Sequence, residues 1–249
     1  MSFRWLYSLL MLLSITTFAQ EDAKTIVRKA EEKVRGAVTS KSEMTIRIVR
    51  PSWTREMSLK SWTKGEDYSL ILITEPAKEK GTAFLKHKNE IWNWVPTIER
   101  TVKLPPSMMM QSWMGTDFTN DDLVRESSAV RDYTHKMIGD TTILDRPCYQ
   151  IELLPLPEAA VVWGKLILFI DKKDYLQLRT EMYDEDGTMV NILNASEIKM
   201  MGGRSLATIS EMMPVQKKGQ KTVMIMKSIE FDKPIDDTFF TTQNMKKVK

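Results

Sequence analysis

Few residues in this chain could do covalent or acid-base chemistry. Two histidines, His87 and His135, one cysteine, Cys148, and two acidic clusters, Asp121-Asp122 and Asp184-Glu185-Asp186, are the groups that could serve as base, nucleophile or metal ligand. Each histidine falls in or beside a strand pattern with no second ligand at metal spacing, so both read as strand residues. Cys148 follows Pro147 at the start of an alternating run, which suits a small packing side chain better than a nucleophile. The acidic run before Gly187 is too short for a twelve-residue calcium loop and reads as a hairpin turn. Asp121-Asp122 follow Thr119-Asn120, and that order suits the first turn of a short helix capped by the preceding residues. A Gly-x-Ser-x-Gly elbow and a glycine-rich phosphate loop are both absent from the sequence. The expectation is a protein that is not an enzyme, with no metal and no cofactor. An enzyme on lipids or glycans using Asp117 and Asp121 is the weakest of three readings.

The apolar residues carry more information. Residues 107–123 read "SMMMQSWMGTDFTNDDL", with Met108, Met109, Met110, Trp113, Met114 and Phe118 in a segment of neither helical nor strand period. Consecutive side chains cannot share one buried face, so some of these should meet a ligand or a partner. Methionine is unbranched and polarizable and repacks against differently shaped surfaces. Tryptophans at 53, 62, 92, 94, 113 and 163 add wide apolar area with one polar handle each. Of these, Trp62, Trp92, Trp94 and Trp113 join the four methionines and Phe118 as candidate ligand-binding residues.

These residues need elements to position them. An apolar run after Arg4, ending in Thr17-Phe18-Ala19, is too short to span a bilayer and reads as a secretory signal over residues 1–19. Residues 20–249 then form one domain, exported and soluble in the periplasm. With one cysteine the mature chain has no intramolecular disulfide, and none follows the signal to carry a lipid. The formal charge of +3 falls to +2 without Arg4, and its cations are dispersed among acids, so nucleic acid is not an expected partner. Ala23, Ile26, Val27, Ala30 and Val34 fall at helical spacing and predict an amphipathic helix packed on a sheet. From Ser42 to Phe231 the period is two, with turns at Lys88-Asn89, Pro96, "DEDG" and "KKGQ". About ten or eleven antiparallel strands in a meander predict a mainly β barrel or half-barrel. One small helix cannot fill its concavity, so an apolar cavity should remain.

The tract "IWNWVPTIERTVKLPP" leading into "MMMQSWMGTDFTNDDL", after a signal and a helix and before "LILFIDKKDYLQLRTEMYDEDGTMV", resembles the outer-membrane lipoprotein-sorting proteins of the LolA-like superfamily. The resemblance implies an open antiparallel half-barrel lidded by short helices. It also implies a monomeric carrier that holds acyl chains of lipoproteins or other lipids on the way to the outer membrane. An inner-membrane transporter and an outer-membrane acceptor would be its partners, and the methionine segment would belong to the lid and cavity mouth. The second reading, from another class, is a non-catalytic envelope module that docks on a membrane protein through an exposed apolar segment.

Overall fold

The computed structural model describes residues 21–35, 38–125 and 128–249; the signal read over residues 1–19 lies outside them. Helix α1 (Ala23–Arg35) is capped by Asp22, whose carboxylate accepts from the Thr25 amide at 2.9 Å. It buries Ile26, Val27 and Ala30 as the helical spacing predicts, while Val34 at the last turn stays half exposed. No helix among the described residues is long and apolar enough to cross a membrane.

Thirteen strands follow among the described residues: β1 (Thr39–Arg50), β2 (Trp53–Lys64), β3 (Tyr68–Glu75), β4 (Ala83–His87), β5 (Glu90–Val95), β6 (Arg100–Lys103), β7 (Tyr133–Ile143), β8 (Arg146–Pro155), β9 (Lys165–Asp171), β10 (Gln177–Tyr183), β11 (Met189–Met201), β12 (Arg204–Pro214) and β13 (Lys221–Phe231). The period-two reading finds their region and its turns at Lys88-Asn89 and Pro96, but its ten or eleven strands fall short of the thirteen among the described residues. Neighbours in sequence pair as antiparallel hairpins except β6 and β7, and β1 also pairs with β13, Ser40 opposite Phe231. The single open sheet therefore runs β6-β5-β4-β3-β2-β1-β13-β12-β11-β10-β9-β8-β7.

Alternation along the strands defines two faces. The concave face carries Ile46, Ile48, Met57, Leu59, Ile71, Ile73, Phe84, Ile151, Leu153 and Leu168, joined by the buried stripe of α1. The other face is covered over β2 to β5 by the C-terminal segment, whose Phe240 and Met245 bury Trp62, Leu70, Leu72, Ala83 and Leu85. A short helix, α2 (Thr242–Met245), ends that segment, capped by Thr241. His87 Nδ1 and the Phe240 carbonyl, 2.9 Å apart, and Lys64 Nζ donating to the Ile235 carbonyl at 3.0 Å hold it down. Cover on both faces explains why β3 is a continuous apolar run, "LILI", instead of an alternating one.

Candidate functional site

Because β1 and β13 meet in the middle of the sheet, its two free edges are β6 and β7, which are consecutive in the chain. The connection between them, residues 104–132, must cross from one edge of the half-barrel to the other. That crossing is the methionine segment, and it forms a strap over the concave face.

The strap begins when the Leu104 amide donates to Ile91 (2.9 Å), after which Pro105 and Pro106 end strand pairing. A 3₁₀ turn over Pro106–Met108 then splays the methionines. Met109 is buried, Met108 is half buried against the core, and Met110 is 68% exposed. Ser112 and Thr119 bridge antiparallel, and a tight turn closes between them with the Thr116 amide on the Trp113 carbonyl at 2.9 Å. Met114 (φ 49°) and Gly115 (φ 79°) occupy its two central positions, the left-handed pair of a type I′ turn. Trp113 is fully buried, its ring 5.4 Å from that of Phe84, and its Nε1 has no hydrogen-bond partner among the described residues. Phe118 and Val124 are buried with it, so strap side chains and α1 fill the concavity where a cavity is expected from the sequence.

The tip of the strap is fastened to the β1–β2 turn and the start of β13. Arg50 donates to the Gly115 carbonyl (3.0 Å) and to Asp117 (2.9 Å), and Thr222 Oγ1 donates to the same Asp117 carboxylate at 2.7 Å. Arg55 donates to the Met114 carbonyl and pairs with Glu79 at 3.0 Å. Further on, Thr119 and Asp122 cap each other reciprocally at 2.7 and 3.1 Å over one turn of π-helix, Asp121–Arg125, as the order of capping residues suggests. The Trp163 indole donates to the other Asp122 oxygen at 3.0 Å, and burial pushes that carboxyl up from its ordinary pKa.

An open space of about 310 Å³ is left at one end of the concave face. Ile91, Leu104 and Met109 form its apolar side, and Lys86, Lys88, Arg131, Asp67 and Asp132 its polar side. Two other grooves, of about 500 and 720 Å³, lie on the outer face beside the C-terminal segment.

The nine candidate residues divide between the strap and the outer face of the sheet. Met108, Met109, Trp113, Met114 and Phe118 are inside the strap, and Met110 points to solvent. Trp62, Trp92 and Trp94 stand on the opposite face, Trp62 against Phe239 (5.4 Å) and Trp94 under Lys246 (5.1 Å), because strand alternation turns them away from Leu59, Ile91 and Phe84. Asp117 is engaged by Arg50 and Thr222, and Asp121 is buried with its amide on the Met109 carbonyl. His135 Nε2 lies 2.7 Å from the Ala129 carbonyl, and no group of three or more His, Cys, Asp or Glu among the described residues is placed to hold a metal. The strap anchors Arg50, Arg55 and Thr222 carry no sequence signal beyond the two arginines that flank the turn in "RPSWTR".

A family model described as "-like: Uncharacterized protein" matches residues 65–247. Among solved structures, a DUF1329 family protein from Desulfovibrio piger superposes with TM-score 0.80 at 22% identity, covering 91% of this chain and 100% of that one. A domain from Vibrio parahaemolyticus, named for outer membrane lipoprotein sorting, gives 0.80 at 19% identity over 90% and 98% of the two chains. A LolA superfamily protein from Nitrosomonas europaea gives 0.78 at 22% identity over 90% and 99%. Comparison with curated proteins finds no match. The fold is thus that of the LolA-like open half-barrel.

Proposed function

The chain belongs to the family whose model covers residues 65–247, and from that premise we propose that it is a non-catalytic periplasmic carrier of acyl chains. One observation carries the reading: the strap joins the sheet's two free edges and fills the concave face with Met109, Trp113, Phe118 and Val124. Those four side chains stand in for cargo. Swinging the strap out vacates an apolar trough, and an acyl chain of a lipoprotein or another lipid takes their place.

The magnitudes support exchange. Burying a large apolar side chain is worth about 1.5–3 kcal/mol, so lifting four costs on the order of 6–12 kcal/mol. A chain with a dozen buried methylenes returns about 10 kcal/mol at about 0.8 each. The two are close enough that loading and release are both accessible, which a carrier between two membranes requires. Its partners on this reading are a donor at the inner membrane and an acceptor at the outer one.

Native mass spectrometry of the protein purified from its own periplasm tests the proposal. We expect a chain beginning at Gln20, with a fraction carrying one lipid or lipoprotein. Protein that never carries lipid and displaces no acyl probe from solution would overturn it, and would favour instead docking on an envelope protein through the exposed Met110.

A further inference from the structure

On the carrier reading, cargo replaces the strap side chains in the concave trough, so the space they vacate limits how much hydrocarbon the protein can keep from water. The other walls are fixed. The sheet is one continuous ladder, held on its outer face over β2 to β5 by the C-terminal segment. Helix α1 is tied to the sheet along its length. From the β9–β10 turn the Tyr175 hydroxyl donates to Glu21 at 2.9 Å and accepts from Lys29 at 3.2 Å, and Arg204 at the start of β12 donates to the Glu32 carbonyl at 2.9 Å.

Inside the trough the strap buries Met109, Trp113, Phe118 and Val124, none more than 4% exposed. By buried apolar area, four such side chains are equivalent to about 8–15 methylenes. Met108, Met114 and Leu123 are only half buried against the same core, and at half weight they raise the upper figure to about 20. An acyl chain of sixteen carbons has about 14 methylenes, and a pair of such chains about 28. Interiors pack without spare volume, so one chain fits where the strap side chains were and two do not. The open space of about 310 Å³ does not enlarge the trough for hydrocarbon, since one side of it is walled by Lys86, Lys88, Arg131, Asp67 and Asp132, whose charges need water or polar partners. The grooves of about 500 and 720 Å³ lie across the sheet, out of reach of a second chain on the same lipid.

Resting on the carrier reading, we propose that the protein selects its cargo by chain number. It takes a single-chain lipid, a free fatty acid or a lysolipid, one per protein. A second or third acyl chain on the same molecule would stay in water, so two-chain phospholipids and anchors of two or three chains are left in the membrane.

The test is extraction, taken to equilibrium, by the full mature chain from phosphatidylcholine vesicles that hold a trace of one labelled lipid. The lipids are a fatty acid, a lysophosphatidylglycerol, a phosphatidylglycerol of the same chain length and a peptide carrying three palmitoyl chains. Protein separated from the vesicles should carry at least tenfold more of the single-chain lipids than of the other two. Recovery of only one of the two single-chain lipids would uphold selection by chain number and identify the head that is accepted. Native mass spectrometry with excess fatty acid should show one copy per protein. Two copies per protein, or a two-chain lipid recovered as well as a single-chain one, would overturn the selection and leave the carrier reading standing. Failure to recover any lipid, with no displacement of an acyl probe in solution, would overturn both.

Discussion

Arg50 and Asp117 form an ion pair of 2.9 Å in which both side chains are largely buried, at 13% and 4% exposure, and it joins the end of β1 to the tip of the strap. Arg50 also reaches the Val49 and Gly115 carbonyls, at 2.9 and 3.0 Å, so one guanidinium holds sheet and strap together. Removing one partner of a buried pair leaves the other charge without compensation, a loss of about 3 kcal/mol or more. Asp117→Ala should therefore lower stability by that order and speed uptake of an acyl probe. A stopped-flow trace with unchanged uptake, beside a lowered denaturation midpoint, would make the pair purely structural.

Trp113 makes a different prediction, because its ring and its nitrogen contribute with opposite sign. The ring fills the concave core beside Phe84, whereas Nε1 is buried without a partner. Trp113→Phe keeps most of the apolar area and removes the unpaired donor, so stability should change by less than about 1 kcal/mol. Trp113→Ala should cost about 3–5 kcal/mol. Urea denaturation separates the two, and equal losses would show that the indole nitrogen has a partner in solution.

Asp122 sets a pH dependence. Burial raises its carboxyl pKa in the folded chain, so the folded state binds a proton that the unfolded state releases at about pH 4. Its contribution is full below that pH and is lost as pH rises toward the folded pKa. Relative to Asp122→Asn, the wild type should become less stable as pH increases through this window. Thermal midpoints of both proteins from pH 4 to pH 8 give the sign, and a wild type that loses relative stability on acidification would contradict it.

The outer-face tryptophans should behave as structure. Trp94→Ala and Trp62→Ala uncover the β2–β5 face beneath the C-terminal segment, and each should lower stability by a few kcal/mol with acyl-probe affinity unchanged in the folded protein. A selective loss of probe binding in either variant would move the binding site to the outer grooves.

The hairpins were legible in the sequence because strand alternation and turn residues are local. Lys88-Asn89 turns between β4 and β5, and Ile26, Val27 and Ala30 face the sheet. The face on which each tryptophan lies was not legible. Trp62 and Leu59 are three apart, so one belongs outside and the other inside, and both are large and apolar only because the C-terminal segment covers the outer face. That cover is a contact between residues some 180 positions apart, which no local pattern records. The pairing of β1 with β13 is equally distant, and it alone makes β6 and β7 the free edges that the strap must connect. Consecutive methionines did point to a segment with several surroundings, and Met109 and Met110 are its two extremes.

Photo-crosslinking with a diazirine-bearing acyl chain, followed by peptide mapping, tests the central claim most directly. If an acyl chain takes the place of the strap side chains, label should fall on residues 104–125 and on the concave strands around Met57 and Phe84. An excess of unlabelled fatty acid should remove it. Label confined to peptides carrying Trp62, Trp92 and Trp94 without the concave residues, or label that fatty acid does not displace, would contradict the account.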